Sequence, residues 1–361
     1  MLDLAELLRY TVEQRGSDLH VKTGSPPHVR VDGKLLPAPF ERVSPADGER
    51  MAFQIMPKDR ADEFVETSEA DFALSLSGLG RFRVNVFRQR GSVGLVFRRV
   101  LPGIPSFETL GLPSVVRRLA EEPRGMVLVT GPTGSGKTTT IAAMIDHINE
   151  TKSVNVVTIE DPIEVLHVDK TSIVNQREIG TDTADYAMAM KRVLRQDPDV
   201  IFIGEMRDPE TVWAALAAAE TGHLVLSTLH TTNAVETVNR IVDFFPPHQQ
   251  KQVRLSLASS LRGVISQRLL ERADQKGRVP SIEVLVNTGR VFDRIVDPNQ
   301  GGESIEEIIA DGEYYGMQTF DQSVFNLYKN GMVDLRSAMA AASNPHDLRI
   351  SLQQSGLLGT Q

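Results

Sequence analysis

The sequence of 361 residues contains no cysteine, which excludes disulfide bonds, thiolate zinc sites and cysteine nucleophiles. No apolar run approaches the roughly 18 residues of a transmembrane helix, so none is expected. The first residues include Asp3 and Glu6 in place of the basic residues that begin a secretory signal. These features together favour a cytoplasmic protein with neither a membrane-spanning helix nor a signal peptide.

The chain is also short of positive charge, with a formal net charge of −8 and a pI of about 5.6. Nucleic-acid binding depends on clustered lysine and arginine that neutralise phosphates, so no nucleic acid is expected as the main partner. The helical segment 184–195 offers only Lys191, Arg192 and Arg195 as a cluster. The length and an apolar content of 41% suit a folded chain of two or three domains.

Residues 1–100 are predicted to form a small α+β domain, in which apolar spacing indicates a helix over 3–14 and a second helical stretch over 45–66. An Asp32-Gly33 turn predicts a hairpin between 28–31 and 34–36. Two further strands are expected at 81–88 and 92–100, the first ending or bulging at Phe87 and Arg88, where its alternation breaks. Proline and glycine at 102–105 indicate a linker, placed at 101–113.

After the linker, short apolar runs alternate with helical segments. Runs that are apolar on both faces favour buried parallel strands joined by crossover helices. The four runs are 126–129, 154–159, 199–203 and 223–228. This pattern predicts an α/β nucleotide-binding domain over 114–287, followed by a helical region over 288–361.

Residues 131–138 read G-P-T-G-S-G-K-T, a complete phosphate-binding loop (P-loop) motif between a predicted strand and a predicted helix. Its glycines let backbone N–H groups converge on phosphates, and the helix N-terminus adds a partial positive charge. The motif predicts that Lys137 binds the β- and γ-phosphates of ATP and that the hydroxyl of Thr138 is a Mg²⁺ ligand. The predicted nucleotide-binding residues are Gly131, Pro132, Thr133, Gly134, Ser135, Gly136, Lys137, Thr138 and Thr139.

Acidic residues follow two of the other predicted strands, where an open α/β sheet presents its ligands. Glu205 follows the strand 199–203 and is the first candidate for a general base. Glu160 and Glu164 follow the strand 154–159 and are candidates to support the metal ion or to hold the attacking water. The alternative is that these are surface acids paired with Arg207 or Lys170.

His230 follows the predicted strand 223–228. A histidine at a strand end beside the phosphate site could contact or sense the γ-phosphate. The alternative is a polar residue with a purely structural hydrogen bond.

The motifs at these strand ends, together with others along the chain, resemble those of the type IV pilus retraction ATPases, the PilT family of secretion-type ATPases. The resemblance covers nearly the whole chain, and several motifs in this order are more specific than the P-loop alone. They are S-D-L-H at 17–20, G-R-F-R-V-N-V at 80–86, the P-loop, and the acidic box at 157–164. The Walker B stretch at 194–208, the histidine box at 227–231 and G-M-Q-T-F-D-Q at 316–322 complete the set.

The resemblance implies a PAS-like N-terminal domain, a RecA-like ATPase domain and a homohexameric ring. It implies that nucleotide lies between the two domains and is closed by N-terminal arginines, for which Arg81, Arg83 and Arg88 stand in the matching stretch. It also implies ATP hydrolysis that returns pilin to the inner membrane. The partner would be the platform protein of the pilus machine, which would hold the ring at the cytoplasmic face.

Two features favour the retraction branch over the pilus-assembly and type II secretion ATPases, which usually carry a longer N-terminal region and a four-cysteine zinc module. Here the P-loop starts at residue 131 and cysteine is absent. However, the segment that should carry the family's Ala-Ile-Arg-like box reads R-V-F-D-R-I-V at 290–296. This departure leaves an accessory retraction motor of the PilU type as an alternative.

Two other classes of protein would share the P-loop. A RecA-like nucleic-acid translocase would need basic loops facing a pore, which the acidic composition disfavours. A nucleotide-dependent scaffold would bind ATP but hardly hydrolyse it, and Glu205 argues against that reading.

Overall fold

A computed structural model describes residues 2–31, 33–100, 103–299 and 301–358. Its contacts divide the chain into two compact units. The first runs to Gly103 and also includes Glu164–Leu166, and the second comprises Ile104–Ile163 and His167–Gln361. Among the described residues, none of the helices combines the length and the apolar character that crossing a membrane requires.

The first unit is built on a six-stranded sheet with the order β3-β2-β1-β6-β5-β4. All five pairings in this sheet are antiparallel. The strands are β1 (Asp18–Lys22), β2 (His28–Val31), β3 (Lys34–Pro37), β4 (Glu69–Leu76), β5 (Gly80–Gln89) and β6 (Ser92–Arg99), and the helices are α1 (Leu4–Glu13), α2 (Pro45–Ile55) and α3 (Lys58–Thr67). Their apolar faces form one core around Phe64, Phe82 and Phe97, each fully buried.

Two sequence-based expectations for this unit need correction, and two others reach beyond the described residues. The helical stretch expected over 45–66 is two helices, because Met56 and Pro57 adopt extended backbone between them. Strand β5 does not end at Phe87 and Arg88, which continue the ladder opposite Gly94 and Val93. The expected Asp32-Gly33 turn includes Asp32, and the expected linker includes Pro102; both residues lie outside the described part of the chain.

The second unit is built on a seven-stranded sheet with the order β13-β12-β7-β11-β10-β8-β9. Six strands run parallel, and β13 is antiparallel at one edge. The strands are β7 (Gly125–Thr130), β8 (Asn155–Glu160), β9 (Ile173–Glu178), β10 (Val200–Ile203), β11 (Leu224–Leu229), β12 (Leu261–Glu271) and β13 (Arg278–Val286). Strands β7, β10 and β11 are buried along their whole length, as the continuous apolar runs predicted.

Helices cover this sheet and then continue to the end of the described chain. They are α4 (Phe107–Leu110), α5 (Ser114–Ala120), α6 (Lys137–Thr151), α7 (Tyr186–Val193), α8 (Pro209–Glu220), α9 (Ala234–Asp243), α10 (Pro247–Ser260), α11 (Gly289–Val296), α12 (Ile305–Ala310), α13 (Phe320–Lys329), α14 (Leu335–Ala341) and α15 (Pro345–Gln354). Helices α13 to α15 pack with Val279 of β13 in a smaller core around Val324, Ala338 and Leu352.

Candidate active site

The strand order brings the sequence-predicted site elements of the second unit to one edge of its sheet. Strands β7, β11, β10 and β8 are successive parallel neighbours. The P-loop follows β7, His230 follows β11, Glu205 lies just beyond β10, and Glu160 is the last residue of β8. Ligands of open α/β sheets bind at this edge, so the arrangement is that of a nucleotide site.

The P-loop turns tightly from β7 into α6. Gly131 has φ 144° and Gly136, the N-cap of α6, has φ 91°, both in the region that favours glycine. The Lys137 ammonium donates hydrogen bonds to the carbonyls of Gly131 (2.8 Å) and Pro132 (3.1 Å). The ammonium of Lys137 therefore lies over the loop, at the position where it can bind phosphate oxygens.

Glu205 and His230 follow neighbouring strands, and their side chains lie in contact. One Glu205 carboxylate oxygen lies 2.8 Å from Arg207 Nη2, and the other lies 3.3 Å from His230 Nε2. Burial by itself raises the pKa of Glu205, but the interactions with Arg207 and His230 outweigh it and hold the pKa below its usual range. The carboxylate is therefore ionised at neutral pH, as a general base must be.

Glu160 is more deeply buried, with 7% of its surface exposed. Its carboxylate accepts hydrogen bonds from Thr158 Oγ1 (2.6 Å) and Gln176 Nε2 (3.1 Å). The hydroxyl of Tyr186 packs against Gly204, between Glu205 and the end of β10. A Cβ on Gly204 would lie only 2.9 Å from this hydroxyl. Burial and the charge of Asp161 raise the pKa of Tyr186, so its hydroxyl stays protonated.

The remaining predicted residues belong to the first unit. Arg81, Arg83 and Arg88 all lie on β5. Arg83 Nη1 is 3.2 Å from the carboxylate of Glu164, which groups with this unit through the segment Glu164–Leu166. Arg88 pairs with Glu49 (3.7 Å) and lies over the ring of Phe64. The catalytic roles of these four residues stay predictions.

Sequence reasoning missed a group of buried hydroxyls beside the P-loop. Thr130 Oγ1 lies 2.8 Å from Ser266 Oγ and 3.5 Å from Thr237 Oγ1, which in turn lies 2.6 Å from Thr231 Oγ1. These side chains link the end of β7, the histidine box, α9 and β12. Only Thr231, which follows the strand-end His230, carries a local signal that could have been noticed.

The site has the donor types that a Mg-nucleotide requires. Ser135 Oγ is buried and has no hydrogen-bond partner among the described residues, which suits a loop that receives an oxygen-rich ligand. Mg²⁺ prefers oxygen ligands and is usually held by one or two carboxylates or hydroxyls together with substrate phosphates. The described residues contain no group of three or more histidine or acidic side chains placed to bind a metal ion by themselves. The hydroxyl of Thr138 and the carboxylates of Glu160 and Glu205 supply oxygen donors of the kind that Mg²⁺ prefers.

Comparison with known proteins places this geometry in a family. Residues 95–342 match the family described as Type II/IV secretion system protein. The chain is 41% identical to the type IV pilus retraction ATPase PilT of Pseudomonas aeruginosa, over 96% of this chain and all of the relative. The chain belongs to the PilT-type ATPases of this family.

Two further relatives agree with this assignment. The type IV pilus ATPase PilU of Pseudomonas aeruginosa is also 41% identical, over 98% of this chain and 92% of the relative. The crystal structure of the pilus retraction motor PilT with bound ADP superimposes with a TM-score of 0.90 at 45% identity, covering 97% of this chain and all of that one. The predicted family, the mixed α/β fold and the ATPase activity of this PilT-type chain are thereby confirmed.

Proposed function

We propose that this PilT-type ATPase hydrolyses Mg-ATP at the sheet edge described above and uses the energy to retract type IV pili. The observation that carries the proposal is the contact of Glu205 with His230 at the strand ends next to the P-loop. In this arrangement Lys137 and Thr138 hold the phosphates and the metal ion, while Glu205 orients and deprotonates the attacking water. Glu160 supports the metal ion from the end of β8.

The nucleoside occupies a cavity of about 790 Å³ that begins at the P-loop. Gly136, Thr139 and Thr140 line one end of it, and Arg278 and Asn330 contribute polar groups elsewhere. Its volume lies in the usual range of roughly 300–1,000 Å³ for small-molecule sites. A mixed polar and apolar lining of this kind suits a purine and a ribose.

Three finer assignments belong to the same proposal. The protein acts as a homohexameric ring, contacts an inner-membrane platform protein of the pilus machine, and works at the cytoplasmic face of the inner membrane. PilT and PilU relatives are equally identical to the chain at 41%, and deletion of the gene distinguishes a main from an accessory motor.

Deletion of the gene tests the direction of the motor. A retraction motor removes pilin from the pilus base, so the null strain is expected to carry more surface pili and to lose twitching motility. Surface pili are counted by electron microscopy, and motility is scored on agar. Complementation with wild type and with a Lys137→Ala allele separates the need for ATP turnover from the need for the chain itself. A bald null strain would indicate an assembly motor, and unchanged piliation with normal twitching would rule out a main retraction motor.

The N-terminal arginines provide a second test. If Arg81, Arg83 or Arg88 stabilises the transferring phosphoryl group, its replacement by alanine should lower ATP turnover by roughly tenfold or more, because arginine fingers contribute on the order of 10³ in rate. Turnover is measured at saturating ATP, with circular dichroism as the check on folding. Arg42→Ala, which changes an exposed arginine of the same unit, is the control. Normal turnover in all three variants would leave these arginines as an ordinary solvated sheet face.

A further inference from the structure

A glutamine lies fully buried against the P-loop. Gln267 is on β12, which runs parallel to β7, and it follows Ser266, the partner of the last residue of β7. It is 1% exposed. A buried amide is costly unless its donor and acceptor are both used, so its hydrogen bonds indicate its role.

Both ends of the Gln267 amide bond to the phosphate-binding segment. Its Nε2 donates to the carbonyl of Ser135 at 2.7 Å, and its Oε1 accepts from Thr140 Oγ1 at 2.9 Å. The orientation of the amide is fixed because a backbone carbonyl can only accept a hydrogen bond. Gln267 therefore ties the middle of the loop to the first turn of α6.

The two flanking glycines of the motif make room for this residue. A Cβ on Gly131 would lie 2.4 Å from the backbone carbonyl oxygen of Gln267, and a Cβ on Gly136 would lie 3.0 Å from its Nε2. Real Cβ atoms do not approach a backbone oxygen so closely. The glycines thus allow the loop to close around Gln267 as well as to adopt its own backbone angles.

The hydrogen bond to the Ser135 carbonyl also fixes the direction of a backbone N–H group that can donate to phosphate. A trans peptide is planar, with its C=O and N–H pointing in opposite directions. Since the Ser135 carbonyl points to Gln267, the N–H of Gly136 points away from Gln267. Converging N–H groups are what a P-loop offers to phosphates. We propose that Gln267 is a positioning residue that holds the P-loop in its phosphate-binding shape, an inference that rests on the proposed ATP site.

This role has a kinetic signature. A loop that grips phosphates equally in the bound state and in the transition state contributes uniform binding, so its loss raises KM and leaves kcat nearly unchanged. Gln267→Met keeps the size and burial of the side chain but removes both hydrogen bonds. It is expected to raise the KM for ATP and the Kd for ADP roughly tenfold, as for the loss of one or two neutral hydrogen bonds, with kcat changed by less than about threefold.

Two companion variants show which contact matters. Thr140→Val removes the bond to Oε1 and leaves the bond to the Ser135 carbonyl. Valine also keeps the shape that Thr140 presents to the nucleoside cavity, so the variant should raise KM by less than about threefold. Asn287→Leu is the control, because the Asn287 amide donates to the backbone carbonyls of Ala258 in α10 and Leu261 at the start of β12. It should lower the melting temperature without changing KM.

The measurements are steady-state ATPase kinetics, ADP titration by calorimetry and thermal unfolding, on the full chain. An unchanged KM and Kd in Gln267→Met would overturn the proposal, as would a Thr140→Val variant with the full effect. If Asn287→Leu also raised KM tenfold, the effect would be one of general stability, and the positioning role would be wrong. A wild-type protein that neither binds ADP nor hydrolyses ATP would instead contradict the proposed function itself.

Discussion

Lys137→Ala is expected to abolish ATP turnover and to weaken ATP binding by at least tenfold. The Lys137 ammonium lies 2.8 Å from the Gly131 carbonyl and 3.1 Å from the Pro132 carbonyl, inside the loop that receives the phosphates. A bound triphosphate replaces these neutral carbonyls with charged oxygens. Hydrogen bonds to charged groups contribute roughly 1.5–3 kcal/mol each, so removal of the ammonium costs binding as well as stabilisation of the transition state. Fluorescent-nucleotide titration and phosphate release measure the two effects.

The other end of α6 offers a matched control. Lys152, its C-cap, donates hydrogen bonds to the carbonyls of Glu121 (2.8 Å) and Glu122 (3.4 Å). Lys152→Ala therefore removes a lysine with similar contacts from the same helix, away from the P-loop. It should keep wild-type turnover. Equal turnover in wild type and Lys137→Ala would contradict the assignment of the P-loop.

The parts of the site that could be predicted from sequence are those encoded locally. The P-loop is a continuous motif, and buried parallel strands are continuous apolar runs, so their carboxyl ends could be located within a residue or two. Parallel strands present these ends at one edge, which made the proximity of Glu205 and His230 predictable. In the structure their side chains lie 3.3 Å apart.

The parts that could not be predicted depend on contacts between distant segments. Gln267 meets Ser135 across 132 positions of the chain, and Thr130 meets Ser266 across 136. No periodicity or local motif reports such pairs. The amide of Gln267 could be recognised as unusual only after β12 was known to be buried and parallel to β7.

Strand β5 also contains a feature that could not be predicted from sequence, because it depends on a contact with the neighbouring strand. Its alternation of apolar residues ends at Phe87, which led to an expected break. In the structure the Phe87 ring lies against the bare backbone of Gly94 on β6, where a Cβ would come within 2.8 Å of it. The missing side chain at Gly94 therefore makes room for the half-buried Phe87 ring, and the ladder continues to Gln89.

Glu205→Gln should separate nucleotide binding from chemistry. Glutamine keeps the shape of the side chain but cannot accept the proton of the attacking water. ATP and Mg²⁺ should bind as well as in wild type, because the phosphates are held by the P-loop. Turnover should fall roughly a hundredfold or more, within the 10²–10⁴ range of positioned acid–base groups. ATP affinity and turnover are measured on the same preparation, with Glu210→Gln as the control, because Glu210 is an exposed carboxylate in the first turn of α8.

The competing role for Glu205 is structural, since its carboxylate also lies 2.8 Å from Arg207 Nη2. Arg207→Gln removes the same ion pair from the other side and leaves the carboxylate of Glu205 in place. If the ion pair alone mattered, the Arg207 and Glu205 variants should lose turnover equally. If Glu205 is the general base, Arg207→Gln should retain most of its turnover while Glu205→Gln loses it. Near-normal hydrolysis by Glu205→Gln would move the general-base role to Glu160, the last residue of β8, or to Glu164, which follows it.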